Sequence, residues 1–243
     1  MSFRVIYYIS LACPTVDRSM DMVEKYIAGG ADSFQIDMPS HDPYGETDFI
    51  KKCMADALAA HPSYDYYMDA FRQLRKRYPD IQLSIVVYKD VIDEIGIERF
   101  TDFCNELGMY SVRLAGNDDR DAYTAYMRSH GLYTVEGIGY YMPQDHIDRV
   151  KGLNNIVTLR TRRKTEAPNR GFETWKQRID YIRCQGVTAP IFAIADMKSA
   201  ADLEAAKEGG ADGVIVGNVL MRLWDDEAAF KAKLAELQAC AVK

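Results

Sequence analysis

Ala28-Gly29-Gly30-Ala31-Asp32 recurs near the other end of the chain as Glu208-Gly209-Gly210-Ala211-Asp212. Each copy follows a stretch with apolar residues at three- and four-residue spacing. Each precedes a short, mostly apolar run, Ser33-Phe34-Gln35-Ile36 or Gly213-Val214-Ile215-Val216. Glycine at such a joint ends a helix in the left-handed conformation and feeds the chain into a strand. αβ turns favour this chemistry in general, so the repeat marks helix-to-strand joints without by itself proving duplication.

Outward from these joints the same alternation continues. Short apolar runs predict strands at 4–10, 33–36, 82–87, 111–114, 133–136, 156–159, 191–194 and 213–216. Their continuous apolar character suits strands covered on both faces. Helical spacing predicts helices at 21–28, 48–59, 64–77, 97–107, 121–130, 144–150, 173–185, 200–208 and 227–239. Alternation implies parallel pairing and right-handed crossovers. Eight such units in 243 residues match a (β/α)8 TIM barrel, which takes about 250 residues. No linker or low-complexity tract interrupts the chain, so residues 1–243 are expected to form a single TIM-barrel domain.

Thirty Lys and Arg against 36 Asp and Glu leave a net charge of −6. That balance argues against a general nucleic-acid binder. Hydrophobic residues at 48% and charged residues at 27% describe a globular chain rather than a disordered one. No apolar run approaches the roughly 18 residues that would span a membrane. Five scattered cysteines without a CxxC argue against a disulfide framework and a structural zinc. The first residues, MSFRVIYYIS, are strand-like and lack an apolar leader. A soluble, cytoplasmic protein is expected.

Barrels of this kind carry their chemistry at the C-terminal ends of the strands. The densest polar stretch there is Gln35-Ile36-Asp37-Met38-Pro39-Ser40-His41-Asp42-Pro43-Tyr44-Gly45-Glu46. Asp37 lies two residues after Gln35, on the same strand face, and is a candidate acid or base; a turn-forming Asp is the structural alternative. His41 is of the residue type that suits acid–base work, or is simply a surface residue. Asp37, His41, Asp42, Glu46 and Asp90 lack recognised metal-ligand spacing, so neither metal nor cofactor is expected. Arg113 interrupts the apolar run Val112-Arg113-Leu114 and needs an acid or an anionic ligand; Glu136 is a candidate partner. Arg160 shares strand parity with Thr158, and Arg160 and Arg162 are expected over the barrel mouth, where guanidinium forks bind carboxylate or phosphate. A salt-bridged surface cluster is the alternative. Tyr88, Tyr140 and Tyr141 suit substrate stacking or plain aromatic packing. Gly217-Asn218-Val219 is expected to open a helix whose free N–H groups favour an anion.

The stretch from Gln35 to Glu46 resembles the tryptophan synthase alpha chain, whose loop reads roughly E-L-G-x-P-F-S-D-P-x-A-D-G. Tyr88-Lys89-Asp90 with Gly96 to Phe100 resembles that family's Y-x-N followed by G-x-x-x-F. Phe192-Ala193-Ile194-Ala195-Asp196 resembles F-G-I-S, and Gly210 to Val219 resembles G-A-D-G-x-I-x-G-S-A. The resemblance covers nearly the whole chain, without the family's N-terminal helix. It implies a TIM-barrel lyase of tryptophan biosynthesis, which splits indole-3-glycerol phosphate by retro-aldol cleavage with two carboxylates. The first falls on Gln35, which cannot exchange a proton; the second falls on Glu46, one methylene longer. Phosphate-side positions carry Ala193 in place of Gly and Asn218 in place of Ser. The Asp-containing turn after strand four reads Gly116-Asn117-Asp118-Asp119, and Arg160-Thr161-Arg162-Arg163-Lys164 replaces the family's G-V-T-G loop.

These departures predict a lyase or aldolase-type enzyme for a phosphorylated or otherwise anionic small molecule, with poor indole-3-glycerol phosphate cleavage. The expected catalytic set is Asp37, Glu46, Gln35 and Glu136. The expected anion-binding set is Tyr88, Arg113, Arg160, Arg162, Ala193, Gly217 and Asn218. A catalytically inactive, alpha-like binding or regulatory subunit and a sugar-phosphate epimerase-type barrel are the alternatives. A tryptophan synthase beta chain is a doubtful partner, because Ser40 replaces the family's Phe in the loop facing that chain.

Overall fold

A computed structural model describes residues 2–116 and 120–241. Asn117, Asp118 and Asp119 of the divergent turn lie outside the described residues. The chain divides into two compact units, Tyr8–Thr134 and Met1–Tyr7 with Val135–Lys243.

The first unit takes the end of β1 (Arg4–Ser10), then α1 (Val16–Ala28), β2 (Ser33–Asp37), α2 (Asp48–Ala60), α3 (Tyr64–Arg77), β3 (Gln82–Tyr88), α4 (Lys89–Ile95), α5 (Ile97–Glu106), β4 (Ser111–Ala115), α6 (Arg120–Ser129) and β5 (Tyr133–Thr134). Its strands are ordered β5-β4-β3-β2-β1. The register is parallel: Gln35 pairs with Ser84 and Asp37 with Val86, and Val86 in turn with Arg113. Register partners share a face. One face therefore carries Gln35, Asp37, Ser84, Tyr88 and Arg113. The other carries Phe34, Ile36, Ile85, Val87, Val112 and Leu114, none more than 3% exposed. Phe34 meets Tyr26 of α1 edge-on at 6.0 Å, so the apolar face is the one under the helices. Each large side chain buried there contributes about 1.5–3 kcal/mol. A one-residue slip would exchange the faces and drive Asp37 and Arg113 into that apolar layer, which fixes the register.

The second unit takes the start of β1, then β6 (Glu136–Ile138), α7 (Gln144–Val150), β7 (Val157–Arg160), α8 (Trp175–Cys184), β8 (Ile191–Ile194), α9 (Ala200–Glu208), β9 (Gly213–Val216) and α10 (Glu227–Gln238). Its order is β1-β9-β8-β7-β6. Gly213 sits between β1 and β8 where a Cβ would come within 2.5 Å of both the Arg4 carbonyl and the Phe192 ring, so only glycine fits.

The repeated glycine joint behaves as its sequence predicts. Gly30 and Gly210 have φ of +95° and +92°, and Ala31 and Ala211 close the helix ends by donating to Tyr26 and Ala206 carbonyls, each at 3.0 Å. Other expectations change. The strand expected at 133–136 is broken at Val135: β5 pairs with β4 and β6 with β7. Helix α4 was not legible, and α1 starts earlier, at Val16, where the Thr15 side chain caps it by accepting from the Arg18 amide. The helix expected after Gly217 is a turn followed by three residues of 3₁₀ helix, Met221–Leu223. Cys13 and Cys53 are joined by a disulfide, a pairing that the scattered spacing, read as arguing against a disulfide framework, did not indicate. No helix among the described residues is long and apolar enough to cross a membrane.

Candidate active site

The polar face of the first unit gathers its acids at the strand ends. Asp37, the last residue of β2, is fully buried. Tyr8 of β1 donates its hydroxyl to Asp37 Oδ2, and the Leu11 amide donates to Oδ1 at 3.1 Å. Burial dominates all the same: it pushes the Asp37 carboxyl up to about 8, the nearby Glu46 charge adds to the rise, and the hydrogen bonds from Tyr8, Ser10 and Leu11 oppose it. At neutral pH this carboxyl is mostly protonated.

Glu46 lies one residue before Thr47, whose side chain caps α2 by accepting from the Ile50 amide. Tyr88, at the end of β3, donates its hydroxyl to Glu46 Oε1 at 3.2 Å. Partial burial raises the Glu46 pKa, while Tyr88 and Arg113 lower it. Burial, then Asp37 and Glu46, hold the Tyr88 phenol far above its ordinary range. Arg113 on β4 is half-buried. Desolvation lowers its pKa, and Glu46 is the largest opposing influence. No hydrogen bond or ion pair reaches its guanidinium among the described residues. Gln35 is 4% exposed, and its side-chain amide likewise makes no hydrogen bond among them.

The loop between β2 and α2 is pinned from α4. The buried Ser40 hydroxyl donates to Asp90 Oδ1 at 2.8 Å, and the His41 amide donates to Asp90 Oδ2 at 2.8 Å. His41 itself is exposed. Among the described residues no group of three or more His, Cys, Asp or Glu is disposed to hold a metal.

The arginines of the second unit are otherwise engaged. Arg160 shares a face with Thr158 and, by register, with Phe192 and Ile194, as its parity predicted. Its guanidinium, however, grips Glu166 through both nitrogens, with one bond at 3.0 Å. Glu166 also accepts from the Arg163 amide at 2.7 Å, and Arg160 is the main reason its carboxyl drops to about 2. Arg162 is exposed and donates to the Glu166 carbonyl at 2.7 Å. Behind them Arg178 is buried between the Trp175 and Tyr140 rings, at 4.1 and 5.2 Å, and donates to the Arg160 carbonyl at 2.9 Å. Glu136 pairs in register with Val157, so it lies on the opposite face from Arg160, as does Ala193. Gly217 is exposed and Asn218 half-buried after β9.

The tryptophan synthase alpha chain family model matches residues 3–243. This chain belongs to that family. The alpha chain of Erwinia tasmaniensis is 24% identical over 221 residues, covering 89% of this chain and 82% of its own. That of Citrobacter koseri is 24% identical over 239 residues, covering 96% and 88%. The crystal structure of tryptophan synthase subunit alpha from Legionella pneumophila superposes with a TM-score of 0.81 at 20% identity, over 98% of this chain and 92% of its own. A chain of the tryptophan synthase complex of Pyrococcus furiosus gives 0.80 at 16%, over 98% of each. The fold is the (β/α)8 TIM barrel of these alpha chains.

Sequence reading singled out Asp37, Glu46, Tyr88 and Arg113, which the first unit brings to one end of one face. It missed Tyr8, whose only signal was even spacing with Ser10 at the end of a strand. It also missed Asp90 as the anchor of Ser40, and Glu166, six residues beyond Arg160, as the taker of that guanidinium.

Proposed function

We propose that the protein is a divergent carbon–carbon lyase of the tryptophan synthase alpha chain family, acting on a small anionic molecule through Asp37 and Glu46. The observation that carries this reading is the buried Asp37 carboxyl, poised near neutrality on the face and strand where the family's first carboxylate has become Gln35. Two carboxyl groups in unequal environments are how one site supplies an acid and a base together. Glu46 takes the proton of a substrate hydroxyl as the adjacent C–C bond breaks. The bond's electrons pass to the departing carbon, which Asp37 protonates. Tyr88 and Tyr8 orient the two carboxyls. Positioned acid–base groups of this kind contribute about 10²–10⁴-fold.

Gly217 and Asn218 are assigned to the phosphate side by family resemblance, for a substrate that carries one; Ala193 lies on the face opposite Arg160 and is given no contact. Glu136, on the face opposite Arg160, is given no catalytic part. A beta chain is a doubtful partner, because Ser40 turns its hydroxyl inward to Asp90 and offers no apolar contact. A cytoplasmic location belongs to the same reading, although the Cys13–Cys53 bond removes its cysteine ground, since disulfides are rare there.

The test is cleavage of a panel of small β-hydroxy carbonyl and indolyl carbinol compounds, with and without phosphate, followed by NMR. Turnover that Asp37→Asn and Glu46→Gln each abolish supports the reading. Turnover indifferent to both refutes it. No turnover of any compound, with tight retention of one, favours instead an alpha-like binding subunit, for which Gln35, an amide that exchanges no proton as an acid or base, is the supporting observation.

A further inference from the structure

We infer that the ligand of this site carries a carboxylate, received by the Arg113 guanidinium with help from the Gln35 amide, and that Arg113 is the residue that selects it. The inference deepens the lyase reading and rests on it only for the name "substrate".

Two polar groups on one face have no hydrogen-bond partner among the described residues. Arg113 is half-buried and Gln35 more than nine-tenths buried, and neither side chain makes a hydrogen bond among the described residues. Buried polar groups are overwhelmingly satisfied, by protein, water or ligand. Arg160, which has similar chemistry, is satisfied by Glu166; Arg113 is not satisfied in that way. Glu46 influences it through space only, and Tyr88 already occupies Glu46 Oε1.

The register places the two groups within common reach. Arg113 is in line with Val86 and Asp37, and Gln35 sits one step back on the same face of β2. The β2 and β4 backbones are about 10 Å apart, two strand spacings, a gap that an extended arginine side chain narrows to ligand size. A planar guanidinium fork matches a planar carboxylate in two parallel hydrogen bonds, and the Gln35 NH2 supplies a third donor.

Charge favours a monoanion over a phosphate dianion. The face holds one guanidinium, a carboxyl at Asp37 that is mostly protonated at neutral pH, and the acid Glu46. One carboxylate balances the guanidinium. A dianion would stand uncompensated beside Glu46 in a poorly solvated site.

The test uses pyruvate and 3-hydroxypropionate as monocarboxylate probes, with inorganic phosphate as competitor, by calorimetry and ligand-observed NMR on the intact protein. Saturable binding is expected, weakened by about tenfold or more in Arg113→Gln, the scale of a charge-assisted bidentate contact. Arg113→Lys should lose less. Gln35→Glu should also weaken binding, because a new carboxylate repels the ligand. Melting curves establish which variants fold, and if Arg113→Gln does not, Arg113→Lys and Gln35→Glu carry the result. Failure of both probes to bind wild type, unchanged affinity in the folded variants, or equal displacement by phosphate would overturn the inference. Binding needs no turnover. Carboxylate capture through Arg113 together with no turnover of any compound in the cleavage panel therefore sinks the lyase reading alone, and cleavage of a substrate lacking a carboxylate sinks this inference alone.

Discussion

Tyr8 and Asp37 meet at the ends of adjacent strands, the phenol donating to the buried carboxyl. The bond puts a hydrogen-bond donor where burial has removed water, and it opposes the rise of the Asp37 pKa without cancelling it.

Stability should therefore fall with rising pH because of Asp37. Its folded pKa of about 8 lies above the ordinary 3.8, so between these values the native state holds the extra proton. The contribution is complete below about pH 4 and is lost as pH rises through 8, at up to about 1.4 kcal/mol per pH unit. Asp37→Asn should flatten this slope. Denaturant unfolding of both proteins at pH 5 and pH 8 checks it; parallel curves would show that Asp37 is not held protonated.

Tyr8→Phe should move the Asp37 titration further upward, because the lost hydrogen bond favours the charged form. Carbon-13 NMR of labelled aspartate reads the shift directly. A downward movement would mean that the phenol does not serve Asp37 as a donor.

Indole release from indole-3-glycerol phosphate should be at least about tenfold slower than in ordinary alpha chains, since one of two positioned proton-transfer groups is an amide. Gln35→Glu alone should not restore it, because Asp37 and Arg113 remain on the same face. The assay is run alone and with a beta chain, and turnover within tenfold of an ordinary alpha chain would contradict the expectation.

Glu166→Gln should cost about 1 kcal/mol at pH 7, the upper range for a partly exposed pair. The Glu166 pKa is depressed from 4.5 to about 2, so its contribution is present above about pH 4.5 and lost as pH falls through 2. The variant's deficit should shrink in acid, as unfolding at pH 7 and pH 3 would show.

A standard beta chain should form no stable complex with this protein. The Ser40 hydroxyl is held by Asp90 at 2.8 and 2.9 Å, so the loop presents no aromatic side chain at that position. Co-elution in stoichiometric amounts at micromolar concentration would show that this contact is dispensable.

The alternation of strand and helix, the glycine joints at Gly30 and Gly210, and the membership of one face by Gln35 and Asp37 were all legible in the sequence. Each follows from local stereochemistry: the period of a strand, the spacing of a helix, and the freedom of glycine at positive φ. The polar stretch from Gln35 to Glu46 was likewise legible as a dense set of side chains at the end of β2. Arg160 marks where local reasoning stops. Its parity was read from Thr158, and the strand face came out as expected, but Glu166 lies in a loop with no period to count, and only its folding returns that carboxylate to the guanidinium.

The sequence by itself determined the fold, the strand faces and the presence of an amide rather than a carboxyl at Gln35, because these depend on residue type and spacing along the chain. Tertiary structure decided which groups remain available for a ligand. Burial lifts Asp37 to about 8, Glu166 removes Arg160 from service, and the faces of β6 and β7 separate Glu136 from Arg160. Those outcomes depend on desolvation and on partners distant in sequence or held in irregular loops, quantities that exist only once the chain has packed.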